Sequence, residues 1–133
     1  MKIAICSSMA FAKEMIELKE NLIKLKHKVI IQEDVELHAS GKIKEEDKWR
    51  KLEIDPLKSY YKEIKQVDAI IVLNKDKNDI KNYIGGNVLI EMAFAYVLGK
   101  KIFSLNPIPK ISYSDEIISM KPVILNKDLT KIK

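Results

Sequence analysis

Short apolar runs and amphipathic stretches alternate along this chain, and the alternation predicts strands that alternate with helices. An apolar run from Lys2 to Cys6 is followed by an apolar stripe at helical spacing from about Ala12 to Lys26 and by a second apolar run from Val29 to Ile31. The stripe consists of Met15, Leu18, Leu22 and Leu25, joined by Ile16 and Ile23. A strand, a helix and a strand in this order form a βαβ unit, in which the crossover is right-handed and the two strands are parallel. The beginning of the chain therefore predicts a parallel sheet.

The same alternation resumes at position 55. Asp55 and Pro56 are a helix cap followed by proline at the first helical position, and the predicted helix continues to about Gln66. The inner face of this helix is expected to consist of Leu57, Tyr60, Tyr61 and Ile64. A strand from Val67 to Leu73 is apolar throughout after Asp68, which is typical of a central strand. Further strands are predicted at 101–105 and 122–125, with a short helix around 114–120 between them.

These elements predict one domain over residues 1–133, an α/β three-layer sandwich with a five-stranded parallel sheet in flavodoxin-like order 2-1-3-4-5. In such a sheet the ligand crevice lies outside the carboxyl ends of the strands, where the winding reverses between strands one and three. Two loops are expected to meet there, one from Cys6 to Phe11 and one from Asn74 to Asn87. The polar stretch at 33–53 has the length of a partly helical flap over the sheet edge.

One helix in this arrangement carries an unusual residue. The eleven residues from Val88 to Leu98 are apolar except for Glu91, so this helix is expected to be buried almost all round. An unpaired buried carboxylate is costly, which makes Glu91 a candidate site residue. The alternative is structural: with Asn87 as the N-cap, Glu91 is the fourth helical residue and complements the helix dipole. Gly99 is expected to end the helix.

Charge and composition exclude several classes of function. The net charge of +5 comes from scattered lysines with Arg50 as the single arginine, so we expect no nucleic-acid surface. No apolar run reaches the roughly 18 residues of a membrane span, and the N-terminus lacks a secretory pattern, so we expect a cytoplasmic protein without a membrane partner.

The cysteine and histidine content argues against redox and metal chemistry. Cys6, the single cysteine, lies within an apolar run and is expected to be a buried structural thiol. His27 and His38 have no second ligand at metal-binding spacing, so no metal is predicted, and no cofactor either. The acid pair of a phospho-receiver, the hydroxyl-rich loop of a flavodoxin and the GxGxxG dinucleotide fingerprint are all missing from the turn after the first strand.

Three stretches of the chain suggest a family. They are the apolar strand with its small-residue turn (Ile3 to Ser8), the strand DAIIVLN, and a glycine-containing loop that leads to EMAFAYVLGKKI. Together they cover most of the chain and resemble the nucleoside 2-deoxyribosyltransferase superfamily, which includes 2′-deoxynucleoside 5′-phosphate N-hydrolases and has the pattern E-[ILM]-G-x-A-x-x-x-G-K. In that family the glutamate is the nucleophile on the anomeric carbon of the sugar. The resemblance implies this role for Glu91.

Cleavage of an N-glycosidic bond passes through an oxocarbenium-like state, which a carboxylate can stabilise or trap as a glycosyl ester. Protonation of the leaving base calls for a second acid, and the family usually has an aspartate in the helix before the third strand. Tyr60 occupies that register here, and the nearest acids are Asp55, which is also the predicted N-cap, and Glu63.

The residue six positions before the glutamate bears on the substrate. In the family it is an acid in enzymes that act on free nucleosides and serine in the monophosphate hydrolases, whereas this chain has Gly85. The backbone of Gly85, Gly86 and Asn87 at a helix N-terminus can bind a phosphate, so a nucleoside or nucleotide ligand is expected. The other predicted substrate contacts are Ser7, Ser8, Phe11 and Asn74.

The resemblance also implies assembly, because members of the family are dimers or larger. Trp49, Tyr60, Tyr61 and Phe94 are large aromatic residues near polar positions, which favours at least a homodimer. A second hypothesis stays open beside the enzyme, namely a non-catalytic nucleotide-binding module of the same fold. The choice between hydrolase and transferase stays open as well.

Overall fold

The computed structural model describes residues 1–32, 35, 39–41 and 56–133. Within them the sheet has the strand order β2-β1-β3-β4-β5, and every pair of neighbouring strands is parallel. The predicted α/β class and strand order are confirmed. The strands are β1 (Lys2–Cys6), β2 (Lys28–Ile30), β3 (Ala69–Val72), β4 (Lys101–Ser104) and β5 (Val123–Ile124).

Helices cover both faces of this sheet. They are α1 (Ala12–Lys24), α2 (Pro56–Lys65), α3 (Gly86–Val97) and α4 (Ser114–Ser119), and 3-10 turns lie at Met9–Phe11 and Leu129–Lys131. In the described part of the chain, no helix combines the length and the apolar character that crossing a membrane requires.

The sheet separates two apolar cores, and the pleat of β1 decides which side chains enter each. Ile3 and Ile5 face α1 and pack with Met15, whereas Ala4 and Cys6 face α2 and α3. Side chains alternate between the two faces along a strand, so the last residue of β1 is directed toward α3. This alternation places the Cys6 thiol on the face of the sheet that is covered by α3, the helix that carries Glu91.

Some residues that were expected on inner helix faces are exposed instead. Leu25 is accessible because α1 ends at Lys24, which leaves Leu25 as the C-cap, and Ile23 within the helix is exposed as well. Leu57 and Tyr61 of α2 are also exposed, so the predicted inner face of this helix is wrong at both positions.

The reason for the second difference is that part of α2 packs on α3 rather than on the sheet. The Tyr61 ring meets the Phe94 ring edge to face, with 5.4 Å between the ring centroids. Ile64 supplies the contact of α2 with the core and is buried.

Several predictions fall outside the described residues. They concern Asp55 as a helix cap or second acid, His38, Trp49, and the flap over residues 33–53 apart from positions 35 and 39–41.

Candidate functional site

The two loops that were predicted to form the crevice are in contact. The Ser7 hydroxyl donates to the backbone carbonyl of Leu73 at 2.6 Å, and this bond is buried. Farther out, the Lys77 ammonium donates to Ser8 Oγ at 3.0 Å. Ser8 Oγ also accepts from the amide of Ala10 and caps the 3-10 turn that leads into α1. Ser7 and Ser8 therefore join the end of β1 to the loop after β3.

Glu91 lies on the inner side of α3 with 3% of its surface exposed. Cys6, the last residue of β1, is buried on the face of the sheet that α3 covers. Burial raises the pKa of Glu91 to about 8, because the ionised carboxylate loses its hydration. The neighbouring Cys6 thiol lowers this pKa, and the charge of Glu63 raises it. Glu91 is thus a buried acid that holds its proton at neutral pH while the site is empty.

Three polar side chains complete the surroundings of this carboxyl. Gln32, which follows β2, lowers the pKa of the Tyr60 phenol. Burial and the nearby charge of Glu91 raise the pKa of Tyr60 to about 12, so the phenol stays protonated and can act as a donor. Glu63, nearly one turn along α2 from Tyr60, interacts electrostatically with both groups. Cys6, Gln32, Tyr60, Glu63 and Glu91 are called the Glu91 cluster below.

The helix end near this cluster differs from the prediction. Gly85 is the N-cap residue and Gly86 the first helical residue, so Asn87 is wrong as the cap. Asn87 is exposed and forms part of the first turn. Glu91 therefore becomes the sixth helical residue instead of the fourth. The helix dipole acts mainly within the first turn, which weakens the structural alternative for Glu91.

The glycine loop packs closely on an aromatic side chain. A Cβ atom at Gly85 would lie 3.3 Å from the ring carbon Cε1 and from the hydroxyl oxygen of Tyr83. On the same ring, the ammonium of Lys77 lies 5.5 Å from the centroid. A cation, two glycines and a helix N-terminus thus share one rim of the crevice.

Lys77 was missed because the loop contains several lysines and nothing in the sequence distinguishes one from another. The tertiary structure selects it through a tight hairpin in which Lys77 and Ile80 exchange backbone hydrogen bonds. The two residues between them, Asn78 and Asp79, have φ values of 53° and 63°, as a type I′ turn requires. The only available signal was the Asn-Asp pair, which tolerates this conformation.

Two predicted substrate contacts lie apart from the cluster. Phe11 is buried in the core on the α1 side, across the sheet from Glu91. Asn74 is fully buried, and its amide donates to the carbonyls of Asn106 (3.1 Å) and Pro107 (2.9 Å). Its side-chain oxygen accepts from the Asn106 amide (3.0 Å) and from Ser104 Oγ (3.3 Å). Both donor hydrogens and both acceptor positions of the Asn74 side chain are therefore used. Asn74 joins the ends of β3 and β4 and has no hydrogen-bonding capacity left for a ligand.

A separate groove of about 660 Å³ lies on the α1 side of the same sheet edge and does not include Glu91. Leu18 and Leu73 line it together with charged residues of both signs, among them Lys75, which pairs with Glu14 at 3.6 Å. Across the part of the chain that the structure describes, no three His, Cys, Asp or Glu side chains gather as a metal site would require.

Comparison with models of protein families, with curated proteins and with solved structures finds no match to this chain. The chemistry of the Glu91 cluster therefore carries the functional conclusion. A buried carboxyl, a protonated phenol and a second carboxyl meet at the carboxyl edge of the sheet, the combination that nucleophilic attack and proton transfer on a small polar substrate require.

Proposed function

We propose that this protein cleaves or transfers the N-glycosidic bond of a (deoxy)nucleoside or nucleoside 5′-monophosphate, with Glu91 as the nucleophile. The observation that carries the proposal is the Glu91 carboxyl, which is buried on the inner side of α3 with its pKa raised to about 8. It belongs to the helix that follows the carboxyl end of β3, where parallel sheets commonly bind their ligands. A carboxylate oxygen of Glu91 bonds to the anomeric carbon as the bond from that carbon to the base nitrogen breaks. The electron pair leaves with the base, which takes up a proton. Water, or the nitrogen of a second base, then displaces Glu91.

Two residues of the cluster are suited to the proton transfer. Glu63 is the carboxyl whose charge acts on Glu91, and Tyr60 stands where the family has its aspartate. Tyr60 keeps its proton at neutral pH because burial and the nearby Glu91 raise its pKa. Loss of base release in Glu63→Gln with retention in Tyr60→Phe would identify the carboxyl as the acid, and the opposite pattern would identify the phenol.

A phosphate group on the substrate fits the glycine rim. The backbone amides at the start of α3 point out of the helix, and Lys77 adds a positive charge beside Tyr83. From Gly86 to Glu91 the helix rises by about 8 Å, a separation that allows a sugar to lie between a phosphate at the rim and the carboxyl. This geometry favours a nucleoside monophosphate over a free nucleoside.

A binding module without catalysis is the second candidate, and one observation favours it. With a pKa of about 8, Glu91 is mostly protonated at neutral pH in the empty site and is then a hydrogen-bond donor instead of a nucleophile. Such a site would bind a nucleotide without breaking its glycosidic bond.

The proposal includes a homodimer in the cytoplasm, where a free thiol such as Cys6 stays reduced. The surface in question is the α2–α3 outer face, formed by Leu57, Tyr61, Phe94 and Val97. Val97 is 81% exposed, and Tyr61 and Phe94 join the two helices into one apolar surface. Association with a second copy would remove this surface from water.

Chromatographic detection of free base tests the enzyme directly. Wild-type protein is incubated with a panel of deoxynucleosides and their 5′-monophosphates, alongside Glu91→Gln and the control Glu116→Gln, which alters an exposed acid on α4. We expect base release from at least one monophosphate, abolished by Glu91→Gln and unchanged in the control. Calorimetric binding of a monophosphate with no base release from any substrate would refute the enzyme and support the binding module.

A further inference from the structure

Tyr113 connects two segments that are far apart in the sequence. It lies between β4 and α4, where it is the N-cap residue of α4. Its hydroxyl donates to the backbone carbonyl of Ile84 at 2.5 Å, although the two residues are 29 positions apart. Ile84 is 1% exposed, and the residue after it is Gly85, the N-cap of α3. The bond therefore joins the segment after β4 to the start of the helix that carries Glu91.

Both ends of this bond are held in place. The turn before α4 is closed by Ser114, whose hydroxyl accepts from the amide of Ile111 at 2.8 Å and donates to the carbonyl of Pro109 at 2.6 Å. The Tyr113 side chain packs against the core between the sheet and α3, and Ile84 is buried in the same core. The hydroxyl and the carbonyl thus have little freedom to separate.

The carbonyl of Ile84 and the amide of Gly85 belong to one trans peptide unit. In such a unit the two groups point in opposite directions, so a bond that fixes the carbonyl also fixes the direction of the amide. Gly85 has no side chain that could cap α3, and the first amides of a helix have no intrahelical acceptor. A helix start binds anions through amides of this kind. Tyr113 therefore acts on a donor of the glycine rim, formed by Gly85 and Gly86, without touching the ligand.

We propose that Tyr113 is a positioning residue for a nucleoside monophosphate substrate: its hydroxyl holds the Ile84–Gly85 peptide unit so that the Gly85 amide is directed at the substrate phosphate. The inference rests on the proposed function for its ligand, whereas the contact between Tyr113 and Ile84 exists without one. Tyr113 takes no part in bond cleavage or proton transfer in this scheme.

The phenol of Tyr113 is suited to this task. Burial and the nearby Tyr83 raise its pKa, so the hydroxyl keeps its proton at neutral pH and remains a donor. Hydrogen bonds in a chain polarise one another, so a donor on the Ile84 carbonyl makes the Gly85 amide a stronger donor on the other side of the peptide unit. Phenylalanine has the same ring without the hydroxyl. Tyr113→Phe therefore removes the bond and little else.

The contact is tested first in the ligand-free protein, by NMR of the labelled backbone carbonyls. Tyr113→Phe should shift the carbonyl carbon of Ile84 upfield, because the hydrogen bond to this carbonyl is lost. Tyr96→Phe is the matched control, since Tyr96 is exposed on α3, and it should leave the Ile84 signal in place. An Ile84 signal that is unchanged in Tyr113→Phe would overturn the proposal.

Binding then tests the positioning role. Calorimetry compares the wild type, Tyr113→Phe and Tyr96→Phe on the panel of deoxynucleosides and their 5′-monophosphates. Loss of the hydrogen bond should weaken monophosphate binding by about fivefold and leave nucleoside binding unchanged, because only the phosphate contacts the rim. Equal weakening of both ligand classes would make Tyr113 a general structural residue and overturn the positioning role. Equal monophosphate Kd values in the wild type and Tyr113→Phe would overturn it as well.

Kinetics and the ligand-free spectrum separate this inference from the proposed function. In an active enzyme, Tyr113→Phe should raise KM for the monophosphate by about fivefold with kcat unchanged, since the rim binds the phosphate and not the reacting carbon. Absence of binding to every member of the panel would refute the proposed substrate, and with it the role of Tyr113 toward a phosphate. The Ile84 signal would then still show whether Tyr113 holds the peptide unit.

Discussion

Replacement of Glu91 by glutamine should stabilise the folded protein at neutral pH. In the unfolded chain the carboxyl ionises near 4.5, but burial raises its pKa to about 8 in the folded protein, so folding favours the protonated form. The stability associated with this group is fully present below 4.5 and is lost as the pH rises toward 8. Glutamine has nearly the same shape as the protonated acid and does not ionise. Its advantage should therefore grow with pH.

The magnitude follows from the distance between the two pKa values. Between the unfolded-state pKa of 4.5 and pH 7 the carboxyl ionises in the unfolded chain but stays protonated in the folded protein. This interval of about 2.5 pH units corresponds to about 3 kcal/mol, at 1.36 kcal/mol per unit. We expect Glu91→Gln to change the free energy of unfolding by close to zero at pH 4 and by about +3 kcal/mol at pH 7.

Chemical denaturation followed by circular dichroism at the two pH values measures this difference, provided that the transition is two-state. Glu116→Gln is the matched control, because Glu116 is exposed on α4 and its replacement should change little at either pH. If Glu91→Gln is clearly destabilising at pH 7 and equally so at pH 4, the carboxylate is a structural partner, and the desolvation argument is refuted.

Four further predictions concern activity, folding, ligand binding and assembly. The kcat/KM for base release should rise about tenfold per pH unit and level off above about pH 8, where Glu91 is ionised; a flat profile between pH 6 and 9 would contradict Glu91 as the nucleophile. Asn74→Ala should lower the free energy of unfolding by about 2 to 4 kcal/mol in denaturation experiments, because it leaves its buried hydrogen-bond partners unsatisfied. A loss below 0.5 kcal/mol would contradict the role of Asn74 in joining the ends of β3 and β4. Gly85→Asp should weaken monophosphate binding in calorimetry more than Gly85→Ala, which imposes the same contact with the neighbouring ring without a charge, and equal weakening by both would count against the phosphate site. Light scattering should give at least twice 15.3 kDa at micromolar concentration, reduced by Val97→Glu and not by Ile118→Glu on α4, and a wild-type mass near 15.3 kDa would rule out the dimer.

The local pattern of the sequence was sufficient for the architecture. A strand, a helix and a strand of these lengths can form only a parallel pair with a crossover, and the continuous apolar run around Ile70 and Ile71 could be buried only in the middle of a sheet. Glu91 was identifiable for a similar reason, because one acid in an otherwise apolar helix stands out without any structure. Both the order of the elements and the isolated acid can be recognised from residues that are close together in the sequence.

Long-range contacts decided how the site is composed. Gln32, Tyr60 and Glu91 come from three separate elements and were brought together by the packing of α2 and α3 on one face of the sheet. The sequence predicted a buried thiol at Cys6, but only the assembled sheet decides that this thiol lies on the face covered by α3.

The predictions that the structure revised depended on partners that are distant in sequence. Asn74 was expected in the crevice, but its amide is saturated by residues more than thirty positions away. Asn87 was expected as the cap, but α3 begins two residues earlier than that cap implies, with Gly85 as the N-cap packed on the Tyr83 ring. Periodicity and capping propensity act over one or two turns, so the sequence by itself determines which segments are strands or helices and which face of each is apolar. Which polar groups meet in the low-dielectric space between those segments is decided by tertiary packing alone, because that space exists only once the sheet and its helices have assembled.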